Sequence, residues 1–400
     1  MRVRAQVHDA ASQADAHPFV GESFAELVRE LSVPMGFRSA CVQAARWDTA
    51  VNEAVRQLGH PLPRGPGFLY LTEGLGGHAL EILDRLRAAT GISQWIGSVG
   101  VGVIGCGVEI VDEPALSVMV ADWSQHDYRI FSGKARAPGT SELTPAGARA
   151  AHTAIVHGDP ETPDMPDLIE DMSGRLASGF MVGGLSSARG GTFQIANDVL
   201  SGGLSGMVLS SDMALTTRVT QGARALPQQH RITAAEGNQI LAIDGQAALD
   251  VYRAVVGETL ARDWNRAARS VPIGLPLPGS DTGDYLVRDI VAIDVRSGML
   301  AVAAPVSAGD RLVFCRRDRA SASDDMQHML RSIPTDLPAP RGALYVSCVA
   351  RGAELFGAGS IEAGWIRERF GDIALTGFFA AGEISHNHLY GYTGVLTLFY

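Results

Sequence analysis

The chain has 400 residues, of which 46% are hydrophobic and 19% are charged. This composition excludes a disordered chain and predicts a globular protein with two or more domains. The 33 basic and 43 acidic residues give a formal net charge of −10. Such a charge repels phosphate backbones, so we exclude nucleic acid as a partner.

Neither a secretion signal nor a membrane span is recognisable. The first 35 residues lack the apolar core of a signal peptide, and no run of about 18 uncharged apolar residues occurs elsewhere. We therefore predict a flexible tail over residues 1–35, no membrane insertion and a cytoplasmic location. The cysteines are widely spaced, as is typical of reduced and mostly buried thiols; they are Cys41, Cys106, Cys315 and Cys348.

One pattern occurs three times in the same order: a strand, a helix, a strand, a glycine turn and a closing strand. The first copy covers residues 67–72, 78–90, 94–96, a turn beginning at Gly97, and 115–121. The second covers 153–157, 168–176, 180–182, a turn at Gly183 and Gly184, and 206–210. The third covers 343–348, 364–370, 373–376, a turn beginning at Gly377, and 395–399.

A different pattern lies between the second and third copies. Residues 240–256 predict a hairpin around Asp244 and Gly245 followed by a helix. Three further strands are predicted at residues 285–293, 299–305 and 311–315. The predicted fold is α/β and two-domain, with duplicated strand–helix–strand units around mixed β-sheets. We place the boundary near Leu226, which gives domains at residues 36–226 and 227–400.

One glycine-rich segment matches a known catalytic-domain motif. Gly100 to Gly105 reads GVGVIG, which matches a dinucleotide fingerprint, but the β-rich segment after it contains Pro114 where that fingerprint needs a helix. The nucleophile elbow GxSxG, the P-loop and HExxH are absent. The sequence therefore gives no positive support for a Rossmann oxidoreductase or a serine hydrolase.

The C-terminal segment predicts a ligand site. Glu383 follows an apolar, glycine-flanked stretch, where its carboxylate would bind an amine or would instead cap a turn. Arg351 could reach a ligand carboxylate from the same rim, and two aromatics would line a pocket or pack in the core. The predicted set is Cys348, Arg351, Gly377, Phe378, Phe379, Gly382, Glu383, Tyr392 and Thr393, with Gly183 and Gly184 from the second copy.

Two C-terminal segments, ALYVSCVARGAELFG and TGFFAAGEISHNHLYGYTGVLTLF, resemble the closing signature of the FIST family of sensory domains. The resemblance implies a FIST N-type domain over residues 36–226 and a FIST C-type domain over residues 227–400. It implies a non-enzymatic sensor of a small, amino-acid-like metabolite, with no resident cofactor. It also implies a signalling partner such as a histidine kinase, a cyclase or a chemoreceptor pathway.

Two alternatives stay open at this point. Some relatives bind haem and sense nitric oxide, and His386 and His388 are the residues that would ligate it here, although Tyr390 stands where many members have histidine. The second alternative is an uncharacterised enzyme, such as a hydrolase, with Cys348 or Cys106 as nucleophile.

Overall fold

The computed structural model describes residues 36–133, 151–276 and 285–400. The tail predicted over residues 1–35 lies outside these ranges. The first repeat begins with an edge strand, and its elements in chain order are β1 (Arg38–Gln43), α1 (Trp47–Leu58), β2 (Gly67–Thr72), α2 (Glu73–Gly76), α3 (Ala79–Thr90), β3 (Trp95–Gly100), β4 (Gly102–Gly105), β5 (Val108–Val111) and β6 (Ala115–Val120).

The second repeat has the same order, and the third begins after it with its own edge strand. The elements are β7 (Tyr128–Phe131), β8 (Ala151–Gly158), α4 (Met165–Ser173), β9 (Phe180–Leu185), β10 (Gln194–Ala196), β11 (Val199–Leu200), β12 (Leu204–Ser210) and β13 (Leu215–Gln221).

A unit that we call the insert, residues 224–316, interrupts the third repeat. It contains β14 (Arg224–Glu236), β15 (Gln239–Ile243), β16 (Gln246–Ala247), α5 (Ala248–Leu260), α6 (Trp264–Ser270), β17 (Ile273–Pro276), β18 (Tyr285–Arg288), β19 (Ile290–Asp294), β20 (Met299–Val302) and β21 (Arg311–Arg316). The hairpin and helix predicted at residues 240–256 are confirmed. Leu226 lies inside β14, and the domain boundary placed there stays a prediction.

The third repeat resumes after the insert. Its elements are α7 (Arg319–Ser332), β22 (Gly342–Cys348), α8 (Gly352–Phe356), α9 (Ile361–Phe370), β23 (Ala374–Ala380), β24 (Glu383–Ser385), β25 (His388–Tyr390) and β26 (Thr393–Phe399). None of the helices in the described ranges is long and apolar enough to cross a membrane.

The three repeats pair their strands in the same way, which confirms the duplicated units and the mixed sheets. In each, the first and second strands are parallel, and the closing strand is antiparallel to the first. Helices with one apolar face cover the outside of each sheet. In α3, for example, Ile82, Leu83 and Leu86 are buried along one face, and the helix ends where Gly91 takes a left-handed conformation with φ 73°.

The hairpins of the three repeats are exchanged in a ring. Hairpin β4–β5 of the first repeat joins the sheet of the third, β10–β11 of the second joins the first, and β24–β25 of the third joins the second. Each of these sheets therefore contains backbone from two repeats. Their inner faces share one apolar core with side chains from all three, including Phe68, Ile155 and Phe378. The repeats cannot separate without breaking sheets.

The glycine turns of the three copies were predicted wrongly. Gly97, Gly183 and Gly377 lie inside the second strands β3, β9 and β23, and Gly184 is in β9 too. A Cβ on these three glycines would come within 1.7, 1.8 and 1.7 Å of carbonyl oxygens on the neighbouring first strands. They are needed because two strands approach closely, and not because the chain turns there.

Candidate functional site

The second strands of the three repeats meet at their carboxyl ends. Ser187, just past β9, donates its hydroxyl hydrogen to the carbonyl oxygen of Phe379 in β23, with 2.5 Å between the oxygens. The same hydroxyl oxygen accepts the Val101 N–H at 3.0 Å. Ser186 donates to the Val99 carbonyl at 2.8 Å. Side chains of the second repeat thus join the first and third repeats at one point.

A cavity of about 460 Å³ lies at this point, and we call it the junction cavity. It is lined by Val101, Val111, Asp112, Ser187, Arg189, Val349, Arg351, Gly352, Ala353, Glu354, Phe379 and Ala381. All three repeats contribute, and carboxyl ends of parallel strands are a common place for ligands in α/β proteins. Cavities of about 490 and 510 Å³ lie elsewhere, but none of the predicted site residues lines them.

Opposite charges stand at the rim of the junction cavity. The Arg189 guanidinium forms a short ion pair with Asp112, and its Nη1 lies 3.6 Å from Glu73. The Arg189 and Asp112 side chains are 63% and 59% exposed, so both can be reached from solvent. Glu354 stands across the rim, with 62% of its side chain exposed. The walls below are largely apolar. The cavity therefore combines a charged rim with an apolar interior.

Beneath the cavity, Arg351 is held by a buried carboxylate. Arg351 Nε and Nη2 lie 2.8 and 2.7 Å from Glu362 Oε1, and both side chains are 0% exposed. Tyr345 and Ser347 donate hydroxyl hydrogens to the same carboxylate at 2.6 and 3.0 Å. Burial opposes the charge on Arg351, but Glu362 beside it raises the Arg351 pKa. Arg351 is thus already paired, and it braces the cavity floor.

Glu109 lies next to this pair. Burial, together with the nearby Glu362 carboxylate, raises the pKa of Glu109 to about 7, against the opposing effect of a 2.9 Å bond from the Ala363 N–H. A Cβ on Gly352 would lie 3.7 Å from Glu109 Oε2, so the carboxyl is close to the cavity wall. Near neutral pH it can take up or release a proton beside the cavity.

Glu383 is buried away from the lining of the junction cavity. Its Oε2 accepts the Thr393 N–H at 3.1 Å and the Thr393 hydroxyl hydrogen at 2.7 Å. Its Oε1 is buried without a hydrogen-bond partner among the described residues. Burial raises the pKa of Glu383 to about 8. The Cys348 thiol lies beside it, and burial and then Glu383 raise the Cys348 pKa. A thiol held protonated in this way is a poor nucleophile.

The two adjacent phenylalanines of β23 point to opposite faces, as the period of a strand requires. Phe378 packs in the central core, where its ring stacks on Tyr70 with centroids 5.0 Å apart. Phe379 lines the junction cavity. Tyr392 is mostly buried, and its hydroxyl bonds to Asp289 of the insert. Of the predicted set, the structure places Arg351 and Phe379 in the cavity wall, with Glu383, Thr393, Cys348 and Tyr392 nearby.

The remaining predicted residues lie elsewhere. Gly184 pairs with Glu383 between β9 and β24, and the Gly382 carbonyl accepts the Leu185 N–H at 2.9 Å. His386 is exposed at the tip of the β24–β25 hairpin, and His388 is half-buried beside it, with ring centroids 6.4 Å apart. Burial lowers the His388 pKa, so a neutral imidazole is available there. Within the described ranges no group of three or more His, Cys, Asp or Glu could hold a metal ion.

The cysteines differ in exposure. Cys315 and Cys348 are buried as expected, Cys41 is half-buried, and the expectation of burial is wrong for Cys106. Cys106 lies in the turn between β4 and β5, with its sulfur 3.5 Å from the Ser39 hydroxyl oxygen. Although the residue is exposed, surrounding protein atoms partly desolvate its sulfur and raise the Cys106 pKa. This thiol therefore also lacks the features of an activated nucleophile.

Sequence reasoning missed the residues that the first two repeats contribute to the cavity, above all Asp112 and Arg189. The spacing within the repeats would have indicated three of the residues that line the cavity. Val101, Ser187 and Ala381 each stand four residues after the close-approach glycine of their own repeat. Superposing the three patterns would have pointed to these equivalent positions at the shared carboxyl ends.

Comparison with known proteins agrees with this architecture. The chain matches the FIST N domain over residues 35–246 and the FIST C domain over residues 248–386. It is 30% identical over 372 residues to the uncharacterized protein Rv0628c of Mycobacterium tuberculosis, covering 88% of this chain and 96% of the relative. It is 30% identical over 342 residues to the uncharacterized protein Mb0898c of Mycobacterium bovis, covering 80% and 86%. The chain therefore belongs to the FIST family, whose domains have a proposed role in sensing small ligands.

Proposed function

We propose that this protein is a cytoplasmic sensor that binds an amino-acid-like metabolite in the junction cavity and passes the signal to a partner protein. The observation that carries the proposal is the exposed Arg189–Asp112 ion pair at the mouth of an apolar cavity. FIST domains support a sensory role, and the partner would be a signalling protein such as a histidine kinase, a cyclase or a chemoreceptor.

An α-amino acid has the charges that this rim would accept. Its carboxylate would form an ion pair with the Arg189 guanidinium, whose planar donors suit a carboxylate. Its ammonium group would form an ion pair with Asp112. The ligand would thereby replace one exposed ion pair with two. Its side chain would leave water and pack against Phe379, Val101 and Val111.

The test is a thermal-shift and calorimetric screen of the common amino acids. Wild-type protein at a ligand concentration of about 100 times Kd should gain about 2.7 kcal/mol of stability. Arg189→Ala should weaken binding about tenfold, since solvent screens an exposed group. The control is Arg46→Ala, which removes another exposed arginine, from the Arg46–Asp48 pair. That variant should bind as wild type does.

A second control uses the ligand. The amine that remains when the carboxylate is removed from the best amino acid should bind wild type and Arg189→Ala equally. If no amino acid stabilises the wild type, or if Arg189→Ala binds amino acids unchanged, the proposal is wrong.

Haem binding is the alternative hypothesis, and it rests on the neutral, half-buried His388 and on His386. Its test is absorbance of the protein after expression with haem supplied. A Soret band lost in the His386→Ala/His388→Ala variant would favour haem, and a colourless wild type would exclude it.

A further inference from the structure

Arg317 connects the junction cavity with the insert. It lies between β21 and α7, and its backbone N–H donates to the Ser270 carbonyl at the end of α6, at 2.9 Å. Its side chain is 12% exposed and reaches the cavity wall, where Nη2 donates to the Ala350 carbonyl and lies 3.5 Å from Glu354. The backbone of Arg317 is therefore bonded to the insert, while its guanidinium is paired with Glu354 in the cavity wall.

The same guanidinium contacts Tyr392. Its central carbon lies 5.2 Å from the centre of the Tyr392 ring, within the range of a cation–π contact. The Tyr392 hydroxyl donates to Asp289, the residue between β18 and β19 of the insert. The Tyr392 carbonyl accepts the Gly222 N–H at 2.7 Å and a longer bond of 3.5 Å from Arg351. Tyr392 thus contacts Arg351 of the cavity wall through its carbonyl, Arg317 through its ring and Asp289 of the insert through its hydroxyl.

We infer that Arg317 reports occupancy of the junction cavity to the insert, through Tyr392 and Asp289. The inference rests on the proposed function, since it assigns a regulatory step to the same site. Glu354 lines the same cavity as Asp112, so the positive charge of a ligand ammonium group paired with Asp112 attracts Glu354 and weakens its pair with Arg317. The Arg317 side chain is only 12% exposed, so a lost partner must be replaced by another.

The structure leaves Arg317 with the means to pair again. Its Nε is buried without a hydrogen-bond partner among the described residues. A small rotation of the guanidinium would use this donor and would change its position over the Tyr392 ring. The Tyr392–Asp289 bond then moves with it, and Asp289 is adjacent to β19, whose Val291 is 57% exposed. The position of Arg317 in the structure and the rotated position would be the two states that such a coupling needs.

The first experiment needs no ligand. Hydrogen exchange is measured over residues 285–294, which contain β18 and β19, in wild type, Glu354→Gln, Arg317→Gln and the double variant. Glu354→Gln frees Arg317 from its carboxylate and should change exchange in this segment about threefold. In the Arg317→Gln background the same substitution should have no effect there. Arg253→Gln is the matched control, because Arg253 lies in the insert with its guanidinium 5.5 Å from the Trp264 ring.

The second experiment adds the amino acid that binds best in the screen described above. Exchange over residues 285–294 should change on saturation of wild type and of Arg253→Gln. Arg317→Gln should still bind, but its insert should not respond. If Glu354→Gln and the bound amino acid both leave this segment unchanged, Arg317 does not couple the two regions, even though binding stands. If no amino acid binds while Glu354→Gln still acts through Arg317, the proposed function fails and the coupling stands.

Discussion

The Ser187 hydroxyl donates to the Phe379 carbonyl across 2.5 Å and so joins the second repeat to the third. The same oxygen accepts the Val101 N–H of the first repeat. One side chain therefore satisfies two backbone groups from two other repeats. These groups lie where hairpins are exchanged and where the junction cavity opens, so this contact helps to hold the walls of the cavity in place.

Ser187→Ala should lower the free energy of unfolding by about 1–3 kcal/mol, because it leaves the Phe379 carbonyl and the Val101 N–H without a partner. Chemical denaturation measures the loss. The control is Ser297→Ala, which removes an exposed hydroxyl bonded to Asp294 and should change stability by less than about 0.5 kcal/mol. Equal stability of the two variants would show that the bridge is not needed.

Gly377→Ala should destabilise the protein by more than about 3 kcal/mol or prevent folding, since the new Cβ would lie 1.7 Å from the Tyr345 carbonyl oxygen. Gly364→Ala is the opposite case. Gly364 lies inside helix α9 with nothing within 4 Å of the added carbon, so alanine there should stabilise by about 0.5–1 kcal/mol. Thermal unfolding of both variants measures the contrast. A tolerated Gly377→Ala would contradict the close approach of β22 and β23.

Glu383→Gln should change how stability depends on pH. Burial raises the Glu383 pKa from the ordinary 4.5 to about 8, so the folded protein holds a proton that the unfolded chain releases. The stabilising effect is complete below pH 4.5, and it is lost as the pH rises towards 8 at about 1.4 kcal/mol per pH unit at most. Glutamine does not ionise, so this pH dependence of stability is absent from the variant. The variant should therefore be more stable relative to wild type at pH 9 than at pH 5.

Urea unfolding at pH 5, 7 and 9 measures the Glu383 effect. The exposed Glu258→Gln serves as the control and should leave the slope as it is in wild type. Parallel pH profiles for wild type and Glu383→Gln would mean that the Glu383 carboxyl is ionised in the folded protein.

Glu362→Gln should lower the free energy of unfolding by about 3–5 kcal/mol, because it leaves the Arg351 charge buried without its carboxylate. Adding Arg351→Met should recover much of that loss, since it removes the unpaired charge. The exposed pair Arg56–Glu53 is the control, and Glu53→Gln should stay close to wild type. Denaturation of the three variants measures the difference. A mild effect of Glu362→Gln alone would mean that water reaches Arg351.

Local sequence patterns by themselves determined the family and, in each repeat, the strand–helix–strand unit with its closing strand. Helix α3 and the strand at Gly67–Thr72 are set by neighbours in the chain, so both elements were predicted correctly. Leu80 was expected on the apolar face of α3 but is 49% exposed, and Ile82 is buried there with Leu83 and Leu86. Arg351 and Phe379, which stay predicted site residues, line the junction cavity and lie in the segments that carry the resemblance to the FIST family.

Only the tertiary structure decided how the repeats combine. A glycine required by a turn and one required by a neighbouring strand look alike in sequence, so Gly97, Gly183 and Gly377 were placed in turns. The ring of exchanged hairpins depends on hydrogen bonds between distant strands, such as Gly377 with Ile104. That exchange brings Asp112 and Arg189, 77 positions apart, together at one rim. The junction cavity is thus made by long-range pairing, which no local pattern encodes.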